Sequence, residues 1–336
     1  MTAIRVLAGD VGGTKTLLQL AEFDAGATRP QRVLRQARYD SAAYAGLTPL
    51  LDEFLRDHHA PLHGACFAVA GPVQDDGTQQ HASLTNLPWQ LDSLHLGADL
   101  GLPAVRLIND FQAVGYGIEA LTAEETAVLH DRPAQPRAPR VVLGAGTGLG
   151  VALLMPCGPH YEVFPTEAGH ADFAPGDAVQ DGLLAFLRAE LGHVSWERIV
   201  SGPGLVNIYR YLLARDGAAD AAALLQATDP AAAVAVAAAA ATDGRAAAAL
   251  DLFVRLYGAC AGNLALTTLA RGGVYLAGGI AAKILPHLQR GGFALSYCDK
   301  GRMRGVVDAI PVHVVTNPEV GLLGALLTAA RTGARD

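Results

Sequence analysis

Short apolar runs punctuated by glycine alternate with helical spacings along most of the chain. Ile4 to Ala8 is largely apolar and ends in Gly-Asp, and Leu17 to Phe23 is a second such run after a Gly-Gly-Thr turn. The pair predicts two strands joined tightly. Arg32 to Tyr39 reads as a third strand. Leu47, Leu50, Leu51, Phe54 and Leu55 recur at the spacing of one helix face, predicting a helix over Leu47 to His58, and Ala65 to Ala70 has the continuous apolar character of a buried strand. A second helix around Leu91 to Leu100 leads to a strand at Ala104 to Ile108. This order predicts a mixed α/β domain.

Residues 131–140, with three prolines and three arginines, have almost nothing to bury and predict an exposed loop. Val141 to Leu154 then repeats the strand, glycine-rich turn and strand pattern around GAGTGLG, echoing the N-terminal unit and suggesting a duplicated architecture. From Asp177 to about Leu269 the pattern is mostly helical. Its alanine-rich tract is expected to be helix, because alanine is the best helix former, with Thr228-Asp229-Pro230 and Thr242-Asp243-Gly244 as breaks or caps. Gly273 to Ala277 returns to strand, a helix is expected to about Gln289, Pro311 to Val315 reads as a last strand, and a C-terminal helix starts at Glu319.

Composition narrows the class. A length of 336 residues favours two domains at roughly 150 residues each, and 51% apolar residues suffice for two cores. The net charge of −7 gives no electrostatic reason to expect nucleic acid or an anionic membrane. No basic segment followed by an apolar stretch opens the chain, and no wholly apolar stretch reaches the ~20 residues that span a bilayer, so a cytoplasmic location is expected. Cys66, Cys157, Cys260 and Cys298 lack zinc-site spacing and are expected as reduced core or near-core thiols.

Candidate chemistry sits at the turns. Gly9 to Thr16 comes close to a P-loop but has Thr14 where the motif needs glycine, and a strand rather than a helix follows. It reads either as a plain β-turn or as a hairpin whose Gly12 and Gly13 let backbone N–H groups approach phosphate oxygens, with Asp10 able to reach a hydrated magnesium ion. The GxGxGxG run at Gly144 to Gly150 fits no dinucleotide fingerprint, leaving a turn or a second phosphate hairpin to which Thr147 adds a hydroxyl. Gly278-Gly279 precedes a helix, as a plain turn or as a close-packing place for adenosine. Asn109-Asp110 follows a strand and opens a helix, so it is either an N-cap or a general base at a strand's C-terminal end. Glu167, His170 and Glu197 are further polar candidates; Glu197 also fits a helix-start carboxylate.

Taken in order, DVGGT, the strand ending in IND, GAGTGLG, TEAGHADFAP, HVSWERIVSGPGLVNIY and LAGGI closely resemble the bacterial glucokinase family, within the superfamily of sugar kinases, actin and heat-shock chaperone ATPases. The resemblance runs from Val6 to about Leu327 and includes GNLAL at Gly262 to Leu266 and DKGR at Asp299 to Arg302. It implies an actin-like ATPase (ribonuclease H-like) α/β fold of two α/β domains with a deep interdomain cleft. The smaller domain would be residues 1–118 plus 317–336, with the C-terminal helix packed on it, and the larger residues 119–316. Asp110 matches the family's catalytic aspartate, and Asn109, Asp110, Glu167, His170 and Glu197 its sugar-binding set. Asp10, Gly12, Gly13 and Thr14 match its first phosphate loop, Gly146, Thr147 and Gly148 its second, and Gly278 and Gly279 its adenosine-side glycines. Lys15, where relatives often carry Asn, and Ala168, where they carry Gly, are departures that remove no matched functional side chain.

The resemblance further implies a cytoplasmic homodimer that uses ATP and Mg2+ to phosphorylate the 6-hydroxyl of glucose. Phosphoryl transfer demands positioning and charge neutralisation, which two N–H-lined hairpins and magnesium would supply while Asp110 takes the hydroxyl proton. A broader hexokinase and a non-catalytic actin-like nucleotide switch are the alternatives, together with a sugar-responsive regulator. Such regulators add an N-terminal DNA-binding helix-turn-helix, and their kinase relatives a Cys-rich zinc motif, and neither pattern occurs in this sequence.

Overall fold

In the computed structural model, which describes residues 3–84, 87–218 and 222–333, the N-terminal apolar runs form β1 (Ile4–Val11) and β2 (Lys15–Phe23). They pair antiparallel with Ile4 opposite Phe23 and Val11 opposite Thr16. β3 (Arg32–Asp40) follows, then α1 (Leu47–Leu55), whose Leu47, Leu50, Leu51 and Phe54 form the buried face the spacing predicts. β4 (Gly64–Val69) is buried at every position, as the central strand of a sheet must be when both faces are covered. Three short strands that the hydrophobic pattern does not reveal, β5 (Val73–Asp75), β6 (Gln80–Ser83) and β7 (Gln90–Asp92), make a small antiparallel sheet. Asp92 ends β7 and caps α2 (Ser93–Leu100), so this helix starts two residues later than the apolar pattern implies. β8 (Arg106–Asn109) runs directly into α3 (Asp110–Gly117).

The chain divides into two units, Met1–Thr122 with His160–Pro165 and Asn317–Asp336, and Ala123–Pro159 with Thr166–Thr316. In the first, the sheet order is β3-β2-β1-β4-β8, with β1, β4 and β8 parallel. Register puts Asp10 beside Ala68, and Val69 beside Asn109, so the C-terminal ends of the three parallel strands share one edge.

The second unit opens with β9 (Thr126–His130), an element absent from the sequence reading, and an exposed loop that covers most of residues 131–139. β10 (Arg140–Ala145) and β11 (Leu149–Cys157) form the second glycine-turn hairpin. β12 (His160–Thr166) was likewise not expected; its first six residues belong to the first unit, where Gln112 and Tyr116 of α3 donate to Val163 O and Glu162 Oε1 at 2.9 and 3.0 Å.

Helices α4 (Ala178–Leu191), α5 (Gly202–Arg215), α6 (Pro230–Ala239) and α7 (Gly244–Thr268) fill the region expected to be helical, although residues 219–221 of the alanine-rich tract lie outside the described residues. Each starts on a capping side chain, Asp177, Ser201, Asp229 and Asp243 respectively, which accepts from an otherwise unpaired first-turn N–H. α7 is long and apolar enough to cross a bilayer by composition, yet 67% of that window is buried inside the protein. Phe253, Leu256, Tyr257 and Ala261 make it the core helix of this unit.

β13 (Val274–Ala277) leads into α8 (Gly278–Lys283) and α9 (Leu285–Leu288), a broken pair where one helix to Gln289 was expected. α10 (Gly292–Cys298), α11 (Arg304–Asp308) and β14 (Val312–Val315) follow. In this unit β11, β10, β13, β14 and β9 lie side by side in that order, with β10, β13 and β14 parallel. The last helix, α12 (Val320–Gly333), returns to the first unit and packs on α3, β1 and β4. Arg331 near its end forks onto Glu119 at 2.9 and 3.1 Å.

Candidate active site

In the first unit the turn between β1 and β2 is closed by Gly12 N–H donating to Lys15 O at 3.0 Å. A buried serine braces it from beneath. Ser41 donates its hydroxyl to Gly12 O at 2.8 Å, lies 2.9 Å from Thr16 Oγ1, and donates its amide to Thr14 O at 3.1 Å. The brace holds a turn that leaves Thr14 exposed and Gly13 partly so. Sequence reasoning missed Ser41; its side chain is polar and wholly buried, the combination that marks a polar group satisfied by a specific partner.

Asn109 and Asp110 occupy the junction of β8 and α3. Asn109 is the N-cap, accepting from Phe111 N–H at 2.9 Å and Gln112 N–H at 3.4 Å, while its Nδ2 donates to Gly71 O at 3.2 Å. Asp110 is the first helical residue, is exposed, and takes Phe111 N–H on Oδ1 at 2.7 Å. Protein atoms crowd its carboxyl and raise its pKa against the opposing pull of that hydrogen bond. Asp10, also solvent-accessible, is raised by the same crowding first and by the negative charge of Asp110 second, with Arg38 opposing. The first unit thus gathers a glycine turn and two acids reluctant to be charged together.

In the second unit the GAGTGLG turn closes with Gly146 N–H donating to Gly148 O at 2.8 Å, and Gly202 N–H at the start of α5 donates to Gly146 O at 2.8 Å. Gly278 has φ of +81°, a conformation L side chains rarely adopt, and a Cβ there would also lie 2.8 Å from Ala145 O. Gly144 pairs with Ala277, so both glycine segments stand at the same sheet edge. Gly279 faces open space.

Glu167 is the N-cap of a short 3-10 helix, Ala168–His170, which carries His170, and Glu197 sits on a second, Trp196–Arg198. These are joined by Trp196 N–H donating to Ala171 O at 3.0 Å and by Phe173 edge-on to Trp196 at 5.3 Å. Glu167 is 91% exposed and lies 3.8 Å from His170, which is 60% exposed, so both side chains are open to a ligand. Glu197 accepts Leu149 N–H on Oε2 at 2.9 Å. Asn109 and Asp110 belong to the first unit and Glu167, His170 and Glu197 to the second.

The cysteines need a correction. Cys66, Cys260 and Cys298 are buried, but Cys157 at the end of β11 is exposed. Among the described residues His130, Cys298 and Asp308 bring metal-ligand atoms within 4.8 Å of one another. The Arg132 guanidinium already holds both Asp308 oxygens at 3.0 and 3.2 Å, and His130 Nε2 is 2.8 Å from Asp308 O. A fixed cation and a committed imidazole make this a hydrogen-bonded network and not a metal cradle.

The glucokinase family model matches residues 7–332. A glucokinase of Nostoc punctiforme is 44% identical over 343 residues, covering 97% of this chain and 99% of that protein. The crystal structure of a glucokinase from an Antarctic psychrotroph superposes with a TM-score of 0.88 at 28% identity, covering 97% of this chain and 99% of the other. That of a Balamuthia mandrillaris glucokinase in complex with glucose superposes with a TM-score of 0.77 at 25% identity, covering 98% and 94%.

Proposed function

The chain belongs to the glucokinase family, and from that premise we propose that it transfers the γ-phosphoryl group of ATP to the 6-hydroxyl of D-glucose, with Asp110 as general base. Its fold is α/β, of the actin-like ATPase class, and it is an ATP-dependent hexose kinase. The observation supporting the residue assignment is the division at the start of α3. Asn109 caps the helix, which frees Asp110 from being needed as the cap and leaves its carboxyl exposed where β1, β4 and β8 end. Ligands in open α/β sheets bind at that end of the strands.

In this reading the first unit binds phosphate through Gly12, Gly13 and Thr14, and Asp110 accepts the proton of the attacking hydroxyl. The second unit binds nucleotide through Gly146, Thr147, Gly148, Gly278 and Gly279. Asn109, Glu167, His170 and Glu197 select the sugar by hydrogen bonds to its hydroxyls. A raised pKa makes Asp110 a better proton acceptor than an ordinary aspartate once it is ionised. Asp10 suits Mg2+, a hard cation that takes carboxylate oxygen and keeps several waters: its carboxyl is accessible and a second acid, Asp110, acts on it. When bound, the ion would neutralise charge on the phosphate oxygens. We further propose a cytoplasmic homodimer acting at the entry to glycolysis.

The test is a coupled assay of ADP formation with purified protein, MgATP and a panel of hexoses. Glucose should be turned over, and sugars lacking a recognised hydroxyl should be poorer by as much as ~10⁴-fold, because a site built to bond that hydroxyl is left with unpaired polar groups. Equal rates across the panel would replace the glucokinase reading with a broader hexokinase.

A further inference from the structure

The contact between Glu197 and the GAGTGLG turn reaches beyond sugar binding. Glu197 Oε2 takes the amide of Leu149, the residue that follows the turn, at 2.9 Å. A Cβ on Gly148 would stand 2.5 Å from that same oxygen and 3.4 Å from Glu197 Cδ. Gly148 is not in the left-handed region, so its backbone does not demand glycine; a side chain there would instead push the Glu197 carboxylate aside. Gly146 in the same turn differs, since a Cβ there would meet nothing within 4 Å.

A second path holds Glu197 to the other end of the turn. The Ser201 hydroxyl donates to Glu197 O at 2.7 Å and accepts Gly204 N–H at 3.0 Å, and the neighbouring Gly202 N–H donates to Gly146 O at 2.8 Å. Ser201 is 1% exposed, so this link is shielded from water. The segment carrying Glu167 and His170 is fixed to the same strand. A Cβ on Gly169 would collide with Leu149 O, and Thr166 Oγ1 donates to Val151 O at 3.0 Å while accepting Ala168 N–H at 3.2 Å.

We propose that Gly148, although it lies in the phosphate turn, is a positioning residue for the sugar. By leaving room for the Glu197 carboxylate against the Leu149 amide, it fixes the rotamer in which Oε1 meets a hexose hydroxyl. This rests on the glucokinase reading given above. Glutamate has many rotamers, and holding it in one before the sugar arrives removes an ordering cost from binding. Of the two glycines in this turn, Gly148 adjoins the Glu197 carboxylate and Gly146 does not.

Steady-state kinetics of the wild type, Gly148→Ala and Gly146→Ala, each varied in glucose and in MgATP, separate these roles. Gly148→Ala should raise the glucose KM at least about tenfold, since small misplacements of binding groups cost factors of that order or more, and by a larger factor than it raises the ATP KM. Gly146→Ala, whose Cβ would meet nothing within 4 Å, should leave the glucose KM within about twofold. A Gly148→Ala protein with an altered ATP KM and an unchanged glucose KM overturns the inference. A wild type that does not phosphorylate glucose overturns the functional reading instead.

Hydrogen exchange at Leu149 probes the contact independently of activity. The amide should exchange faster in Gly148→Ala and in Glu197→Ala than in the wild type. Unchanged exchange in Gly148→Ala overturns the inference, and unchanged exchange in Glu197→Ala, which does not depend on the glycine variant folding, removes the contact it rests on.

Discussion

Burial raises the pKa of Asp10, and the charge of Asp110 raises it further. Asp10 near the end of β1 and Asp110 just past the end of β8 flank β4 at one sheet edge. Two carboxyls that resist being ionised together invite a cation, which would lower the cost of both charges. Asp10→Asn should therefore raise the Mg2+ concentration for half-maximal rate at least about tenfold, because one of the one or two carboxylates that typically hold this ion is lost. Rate against free Mg2+ at fixed ATP is the measurement, and an unchanged curve would remove Asp10 from the metal role.

The same shifts fix the sign of two pH effects. Asp110 must be ionised to act as a base, and its pKa stands above the ordinary 3.8. The acid limb of kcat/KM for glucose should accordingly fall at a higher pH than an unperturbed aspartate would give. For stability, a carboxyl whose folded pKa is raised favours the fold below its unfolded pKa and loses that contribution as pH rises through the folded value. At neutral pH Asp110→Asn should leave Tm unchanged or higher, by thermal melts in the absence of ligand. A clearly lower Tm would mean that the charged carboxylate supports the fold.

The thiols should divide by burial. Cys66 and Cys260 have pKa values pushed up to about 12 by burial, and Cys298 is raised by burial and then by Asp308. Cys157 alone is exposed. Since the thiolate is the reactive form, a disulfide-exchange reagent should titrate one thiol quickly in the native protein and four in denaturant. Rapid native reaction of more than one would contradict the packing around β4, α7 and α10.

Glu119 and Arg331 tie α12 to the segment following α3, with side chains only 10% and 18% exposed. Removing one partner from a largely buried pair leaves an uncompensated charge, so Glu119→Ala should cost about 3 kcal/mol in denaturant unfolding. The double variant Glu119→Ala with Arg331→Met should cost less than the single one. Additive losses would show that the two residues do not act as a pair.

Much of this was legible before the structure. The two hairpins announce themselves because glycine clusters interrupt apolar runs, and Asp229 and Asp243 stand before helical tracts as caps must. Strands β5 to β7 are too short and polar to carry a period, and in β12 the exposed Phe164 breaks the alternation that buries Tyr161 and Val163. At the site, Asp10, Asp110, Glu167 and His170 were visible as residue types. The parts that hold them were not. Ser41 and Ser201 act on backbone carbonyls, and Glu197 is held by an amide that any residue at position 149 but proline would offer, so no side-chain pattern reveals the pairing.

The central claim is that Asp110 takes the proton from the sugar hydroxyl that attacks ATP. Parallel turnover assays of wild type and Asp110→Asn with saturating glucose and MgATP, with glucose binding measured by calorimetry on the same samples, test it most directly. The account predicts rapid ADP formation by the wild type, a kcat lower by about 10²–10⁴-fold in the variant, the range a general base supplies, and glucose still bound. Near-normal turnover by Asp110→Asn would contradict it.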